Sequence, residues 1–354
     1  MSKLGAFGAR LYRGEVSFDF VGRKKLWYTL SGVILILAAI GLFGRGLNLG
    51  IEFKGGAEFQ VVSQTDSVEA AKAVAVAAGV ENPIVTQLGN GTVRVQTPDL
   101  SEEVRNTIVA NLASELGVAE SEVRVQIVGP SWGSDITGKA INALIVFLVL
   151  VSLFLAVAFE WRMAVAALIA LLHDVVITVG IYALTGFEVT PSTVIGVLTI
   201  LGFSLYDTVV VFDKVKENTK NITRQNRLSY SGAANLALNQ TLVRSINTSI
   251  VALLPVTAIL VIGAGVLGAG TLRDLSLALF VGMLAGTYSS ITIATPVLAQ
   301  LKEREPEMKA LAKRATNKAA SVVASSFDAS PEAESTVFET GPRNQPRRKS
   351  RSKR

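Results

Sequence analysis

STVIGVLTILGFSLYDTVVVFDKVKEN, residues 192–218, decides how the rest of the chain is read. Its first 21 residues hold a single ionisable group, Asp207, in an otherwise apolar or hydroxyl-bearing run. At 1.5 Å per residue such a run spans the roughly 30 Å of a bilayer's hydrocarbon. Working outward, five more stretches meet the same standard, residues 26–44, 140–159, 163–184, 244–267 and 273–298, with this one taken as 192–212. The expectation is a polytopic α-helical membrane protein of six transmembrane helices. Composition agrees: half of the 354 residues are apolar and only 18% charged, with a mean hydropathy of +0.44, far from soluble domains. Cysteine is absent and histidine occurs once, as His173. That excludes disulfide scaffolds, Cys-ligated metals and thiol nucleophiles, and leaves too few imidazoles for a multi-histidine metal site. No metal or cofactor is expected. No nucleophile, base and orienting group share an exposed motif, so the chain does not read as an enzyme.

Orientation follows from the basic residues flanking the spans. Lys3, Arg10, Arg13, Arg23, Lys24 and Lys25 precede the first, and Lys214, Lys216, Lys220, Arg224 and Arg227 follow the fourth. The connections 186–190 and 268–272 hold none. Residues 1–25, the loop 213–243 and the tail 302–354 are therefore expected in the cytoplasm, and residues 45–139 on the outer face. The first span is read as retained, because 25 residues precede it and no small-residue cleavage motif follows it. Trp27, Tyr28, Trp132 and Trp161 fall near span ends as interface anchors.

The exported segment reads as β-α-β-β-α-β. Residues 57–63 alternate as a strand, 67–78 are an Ala-rich helix, and 84–88 with 92–97 flank a turn at Gly89, Asn90 and Gly91. Residues 101–116 form a helix capped by Ser101 and closed by Gly117, and 122–128 a last strand. That order is ferredoxin-like, a fold that carries many functions. The loop 213–243 suggests a hairpin of short helices. The tail, poor in large apolar residues and holding seven Lys and Arg between 343 and 354, reads as disordered, ending in a basic cluster suited to anionic lipid; no nucleic acid is expected.

A charge in hydrocarbon costs several kcal/mol unless it is paired or solvated, so such residues are functional candidates. Asp207 lies about 9 Å inside the cytoplasmic end of its span, with Thr199 and Ser204 on its own helical face as hydroxyl donors. A short Asp reaches the interface poorly, which weakens the reading of a mere boundary residue. Arg244, opening the fifth span, is either a boundary anchor or the partner of Asp207. The expectation is a pair that alternates between contact and separation as Asp207 takes a proton. His173 and Asp174 sit mid-span; adjacent helical residues diverge by about 100°, so each needs partners on other helices. They form either a polar packing clamp or a proton relay. The sixth span is dense in Gly282, Gly286, Thr287, Ser289, Ser290, Thr292 and Thr295, which permits close helix approach, while Pro255 and Pro296 allow kinks. GIEFKGG, residues 50–56, has glycines for unusual φ/ψ but no phosphate-loop spacing.

Five blocks, in order, resemble the SecF subunits of the bacterial protein-export machinery, within the SecD/SecF family of the RND superfamily of proton-driven transporters. They are DFVGRKK (19–25), GIEFKGG (50–56), GFSLYDTVVVFDKVKEN (202–218), QTLVRS (240–245), and LRDLSLAL (272–279) with GTYSS (286–290). Two departures are visible: Glu52 stands where the family often has Asp, and Tyr206 where Asn is common. The resemblance implies half of an RND-type bundle, completed by a SecD-like subunit in a heterodimer. It further implies association with the SecYEG channel and YajC, and use of the proton-motive force to promote late translocation and release of an unfolded preprotein. It carries proton passage to Asp207 and Arg244, with His173 and Asp174 as further candidates, and marks Gly50, Glu52, Lys54, Gly55 and Gly56 as a family motif. Two other readings fit the composition: half of a proton-coupled exporter of lipid or small solute, and a passive scaffold in which the buried charges serve assembly.

Overall fold

The computed structural model describes residues 16–63, 67–88, 91–225, 228–266 and 270–327, together with Arg10. Lys3, Arg13, Arg227, the turn residues Gly89 and Asn90, and the basic cluster beyond residue 342 lie outside the described residues.

Among the described residues, six helices are long and apolar enough to cross a membrane. The first is α1 (Lys24–Gly44). It leads into the short strand β1 (Asn48–Leu49) and the single-turn helix α2 (Ile51–Lys54). The domain between the first two spans, called the outer domain after the orientation expected from the flanking charges, follows as β2 (Gly56–Val62), α3 (Val68–Ala77), β3 (Ile84–Gln87), β4 (Thr92–Thr97), α4 (Glu102–Leu116) and β5 (Arg124–Val128). The chain then returns as α5 (Pro130–Ala158) and α6 (Trp161–Thr185), makes the two-residue strand β6 (Glu188–Val189), and crosses again as α7 (Pro191–Thr219). The remaining helices are α8 (Ile222–Gln225), α9 (Tyr230–Ala258), α10 (Gly270–Ser289), α11 (Thr295–Lys302) and α12 (Pro306–Phe327). Stretches of π-helix, Ile259–Val266 and Ser290–Ala294, continue α9 and join α10 to α11.

The outer domain is an antiparallel sheet in the order β3-β4-β2-β5, the ferredoxin-like arrangement. Alternation along β2 and β4 puts Ala57, Phe59, Val61, Val93 and Val95 into a core closed by Ala71, Ala75, Ile108 and Leu112 of α3 and α4. Ser101 caps α4 through the Val104 N–H, and Gly117 ends it in the left-handed conformation at φ +66.

Helical structure runs past the apolar runs in three places. α5 starts at Pro130, ten residues before the expected span, so the outer domain joins the bundle through continuous helix. The expected hairpin of short helices in 213–243 is corrected: α7 continues to Thr219 and α9 begins at Tyr230, leaving only α8 between them. These extensions bury Val215, Ala233, Ala234 and Ala237 in the bundle's main core; small residues at helical spacing pack well without raising hydropathy. The expectation of a disordered tail from residue 302 is corrected for residues 302–327, while 328–354 lie outside the described residues. α12 opens with Pro306 and places Met308 and Leu311, one helical turn apart, into the same core. Lys302 pairs with Glu160 and Glu305, and Arg162 with Glu305, fixing this end of the bundle.

The block before the first span has a local reason. Asn239 accepts from the Phe18 N–H at 2.7 Å and donates to the Phe18 carbonyl at 2.9 Å, while Asn235 accepts from Phe20 N–H at 2.9 Å. Two asparagines one turn apart on α9 thus hold the incoming chain.

Candidate functional site

α6, α7 and α10 form the inside of the bundle, and glycine lets them close. A Cβ on Gly196 would lie 2.8 Å from Ala278 Cβ, one on Gly282 2.2 Å from Ile200, and one on Gly286 2.8 Å from Ser204 Cβ. The small residues of the sixth span therefore bring α10 onto α7 at backbone distance. The π-helical turn starting at Ser290 offsets the following register, a distortion common at functional positions.

Asp207 sits on α7 within this contact, 4% exposed. Its Oδ1 accepts from the Ser245 hydroxyl of α9 at 2.6 Å and its Oδ2 from the Ser290 hydroxyl at 2.5 Å. The donors expected from its own helix serve elsewhere: Thr199 donates to the Ile195 carbonyl, and Ser204 to Asp174. Ser249 and Thr287, whose hydroxyls are 2.8 Å apart, continue the polar row between α9 and α10.

Asp174, 1% exposed on α6, accepts from Ser204 at 2.5 Å. Ser204 lies one turn before Asp207, so α7 carries both carboxyl contacts on one face. His173 turns away from Asp207: it stacks on Tyr288 with centroids 6.0 Å apart, and Tyr288 meets the Ser31 hydroxyl of α1 at 2.8 Å. The expectation of separate partners for the two neighbours needs one correction, because His173 Nδ1 also lies 3.4 Å from Asp174 Oδ1. Its Nε2 is buried without a hydrogen-bond partner among the described residues.

Arg244 is not joined to Asp207. It is exposed on α9 and donates to the Tyr206 hydroxyl at 3.2 Å. Ser245 occupies the direction that faces Asp207, and Arg244 lies about 100° away around the helix. Tyr206 precedes Asp207 in the same way, so the two adjacent pairs are matched one to one.

A second polar group lies where the outer domain meets the bundle. β1 pairs in parallel with β6, Asn48 opposite Glu188. Arg94 of β4 forms an ion pair with Glu188, and Gln96 donates to Glu188 at 2.5 Å and to Glu58 at 2.8 Å. Gln60 also donates to Glu58, at 2.6 Å. Glu52 of α2 has its Oε2 buried with no hydrogen-bond partner among the described residues. Burial pushes the Glu52 carboxyl above the ordinary carboxylate range; its own backbone N–H opposes this, Glu188 and Glu58 add to it, and Arg94 opposes it.

The glycines around Glu52 are structural. Gly55 and Gly56 have φ +77 and +136, and a Cβ on Gly56 would lie 2.2 Å from the Thr97 carbonyl oxygen. A Cβ on Gly50 would meet Glu52 Oε2 at 2.5 Å and Glu188 Oε1 at 2.9 Å. Lys54, the remaining residue of this motif, is exposed at the end of α2. Sequence reading passed over Glu58, Arg94, Gln96 and Glu188. The signal for Glu58, Arg94 and Gln96 was the polar face of two alternating strands, which an uncovered sheet shows equally, and Glu188 stood as a lone acid in a short connection.

Comparison with known proteins fits this geometry. The family model "Protein export membrane protein SecD/SecF, C-terminal" matches residues 108–304, and the SecD/SecF GG motif matches residues 40–66. The chain belongs to the SecD/SecF family. The protein translocase subunit SecF of Streptomyces coelicolor is 52% identical, covering 100% of this chain and 98% of that protein. The SecF of Mycobacterium leprae is 44% identical over 84% of this chain and 67% of that protein. The crystal structure of SecDF, a translocon-associated membrane protein from Thermus thermophilus, superposes with a TM-score of 0.73 at 34% identity, covering 82% of this chain. This chain spans only 39% of that SecDF chain. In this chain the residues matched by the GG motif include the turn after the first span, which places Glu52 at the outer joint.

Proposed function

We propose that this chain acts as an accessory subunit of the Sec protein translocase. With a SecD-like partner it uses the proton-motive force to promote late translocation and release of preproteins passing through SecYEG. The SecD-like half is supported by the span of this chain, six helices against a SecDF relative more than twice as long. YajC and anionic lipid at the basic tail belong to the same reading, as do cytoplasmic termini and an outer position for residues 45–139. No chemical step on a bound substrate is part of it.

The observation that carries the reading is Asp207, a carboxyl deep in the bundle held by two serine hydroxyls from different helices. An ionised carboxyl there has hydroxyl dipoles and no paired cation among the described residues, so proton uptake removes a charge costing several kcal/mol. Asp207 is the group that takes and releases the proton, with Ser245 and Ser290 as its donors. Asp174 with Ser204 extends the polar face one turn along α7, and His173 lines the neighbouring contact with Tyr288. Arg244 belongs to the exposed side, where Tyr206 holds it for a partner half. Each proton driven inward releases about 2.3 kcal/mol per 100 mV, enough to bias a two-state movement of the outer domain.

The test is preprotein protection from protease in inverted vesicles containing this chain, a SecD-like partner and the channel, with ATP present. A proton gradient is expected to raise protection with the wild type and not with Asp207→Asn. Equal stimulation in both would return Asp207 to a packing role.

A further inference from the structure

The outer joint has no part in the proton chemistry assigned to Asp207, yet it links the two halves of the architecture. Arg94 and Gln96 belong to the outer sheet and Glu188 to the connection between the third and fourth spans. Their contacts tie the sheet's polar face to the bundle.

The charges do not balance. Three carboxyl groups, Glu52, Glu58 and Glu188, converge on one guanidinium, Arg94. Glu58 is served by Gln60 and Gln96, and Glu188 by Arg94 and Gln96. Glu52 alone has a buried oxygen without a donor, and that oxygen and Glu188 Oε1 both lie within 3 Å of the position a Gly50 Cβ would take. Arg94 Nε is also buried without a hydrogen-bond partner among the described residues. Groups left half-satisfied in a low dielectric make a contact easily broken by one added charge. Beside the pair is a cavity of about 280 Å³, lined among others by Asn48, Arg94, Glu188, Arg273 and Asp274.

We infer that this joint is a proton-operated latch, in which a proton on Glu52 leaves Glu188 on Arg94 and holds the outer domain to the bundle, while its loss frees the domain. The groups acting on Glu52 are Glu58 from β2, Arg94 from β4 and Glu188 from β6. Asp274 and Arg273 of α10 border Glu188 across the cavity. Lys54 on α2 itself and Asp135 and Lys139 on α5 are exposed, and β1 carries no charge. Docking buries Glu52, which favours its protonated form. The docked state therefore binds more protons, and docking weakens as pH rises through the raised value of Glu52. The latch goes beyond the Asp207 reading and does not depend on it.

The chain has no cysteine, so spin labels at Glu103→Cys on α4 and Leu272→Cys on α10, both exposed, report the docking distance by pulsed electron resonance. The full chain is measured in lipid nanodiscs across pH with no gradient and no preprotein. The wild type is expected to show a narrow distribution at acid pH that broadens as pH rises. Glu52→Gln should lose this response and stay narrow, and Glu188→Gln should be broad throughout. A wild-type distribution indifferent to pH, or a pH response kept in Glu52→Gln, overturns the latch. Far-UV circular dichroism checks folding. Should Glu52→Gln not fold, Glu52→Asp, which withdraws the carboxyl from Glu188, must shift the midpoint, and an unshifted midpoint counts against the latch equally. Loss of proton-driven export in Asp207→Asn is a separate result, so either reading can fail alone.

Discussion

Ser245 gives its hydroxyl to Asp207, and this bond takes the place that an ion pair with Arg244 would otherwise fill. The two α9 residues are neighbours in sequence and point about 100° apart, one into the bundle and one to its exposed side. A carboxyl held by two hydroxyls from different helices has no salt bridge to break in the proton transfer proposed for it. The adjacent bond from Arg244 to Tyr206 runs parallel to it on the outside.

Removing the donors should therefore matter more than removing the exposed contact. A hydrogen bond to a charged group contributes about 1.5–3 kcal/mol, so Ser245→Ala or Ser290→Ala is expected to reduce the gradient-driven part of export about tenfold or more. The double variant should be weaker still. Protease protection in vesicles with and without a gradient reads this out, and unchanged stimulation in the double variant would show that the hydroxyls only fill space.

Tyr206→Phe removes one hydroxyl at 3.2 Å from an exposed arginine. Exposed contacts of this kind contribute about 0–1 kcal/mol, so gradient-driven export should stay within about fivefold of wild type. Arg244→Ala is expected to lower recovery of the SecD-like partner in affinity pull-down while leaving this chain's own thermal unfolding unchanged. A large loss in Tyr206→Phe alone would mean that Tyr206 touches the proton route directly.

The six spans were legible because hydrocarbon demands about 20 apolar residues in a row, and Asp207 and Asp174 stood out because that same solvent penalises charge. Partners were not legible. Which face of α9 meets α7 is set by tertiary packing that buries Ser245 and leaves Arg244 exposed, so sequence could place Arg244 near Asp207 in depth but not in direction. The outer joint was hidden for a different reason. Glu58, Arg94 and Gln96 occupy the polar positions of alternating strands, a pattern that implies water on that face until another element is seen to cover it. The ends of α7 and α9 beyond the apolar runs escaped notice because α9 packs there through Ala233, Ala234 and Ala237, and α7 adds only Val215 to the core beyond its apolar run.

Two glycines of the outer domain should respond differently to the same change. Gly117→Ala puts a Cβ into open space at φ +66 and should cost about 1–2 kcal/mol for the left-handed backbone. Gly56→Ala adds a 2.2 Å clash with the Thr97 carbonyl to its φ of +136, so it must displace β2 from β4. Hydrogen exchange on the full chain should show lost protection across Gly56–Val62 and Thr92–Thr97 in Gly56→Ala only. Equal protection in both variants would mean that the sheet absorbs the clash.

Inside the bundle the sharpest contact is between α1 and α6. A Cβ on Gly180 would lie 2.1 Å from Ala38 Cβ and 2.6 Å from its Cα, so part of the obstacle is backbone and cannot rotate away. Overpacking of this kind costs about 1–3 kcal/mol, and Gly180→Val is expected to lower the melting temperature in detergent and loosen the first span. Gly202 is the control, a helical glycine on α7 with nothing within 4 Å of its Cβ position. Gly202→Ala should gain about 0.5–1 kcal/mol from the stiffer unfolded chain. If both variants melt with the wild type, α1 is held by lipid and by a partner subunit rather than by its contact with α6.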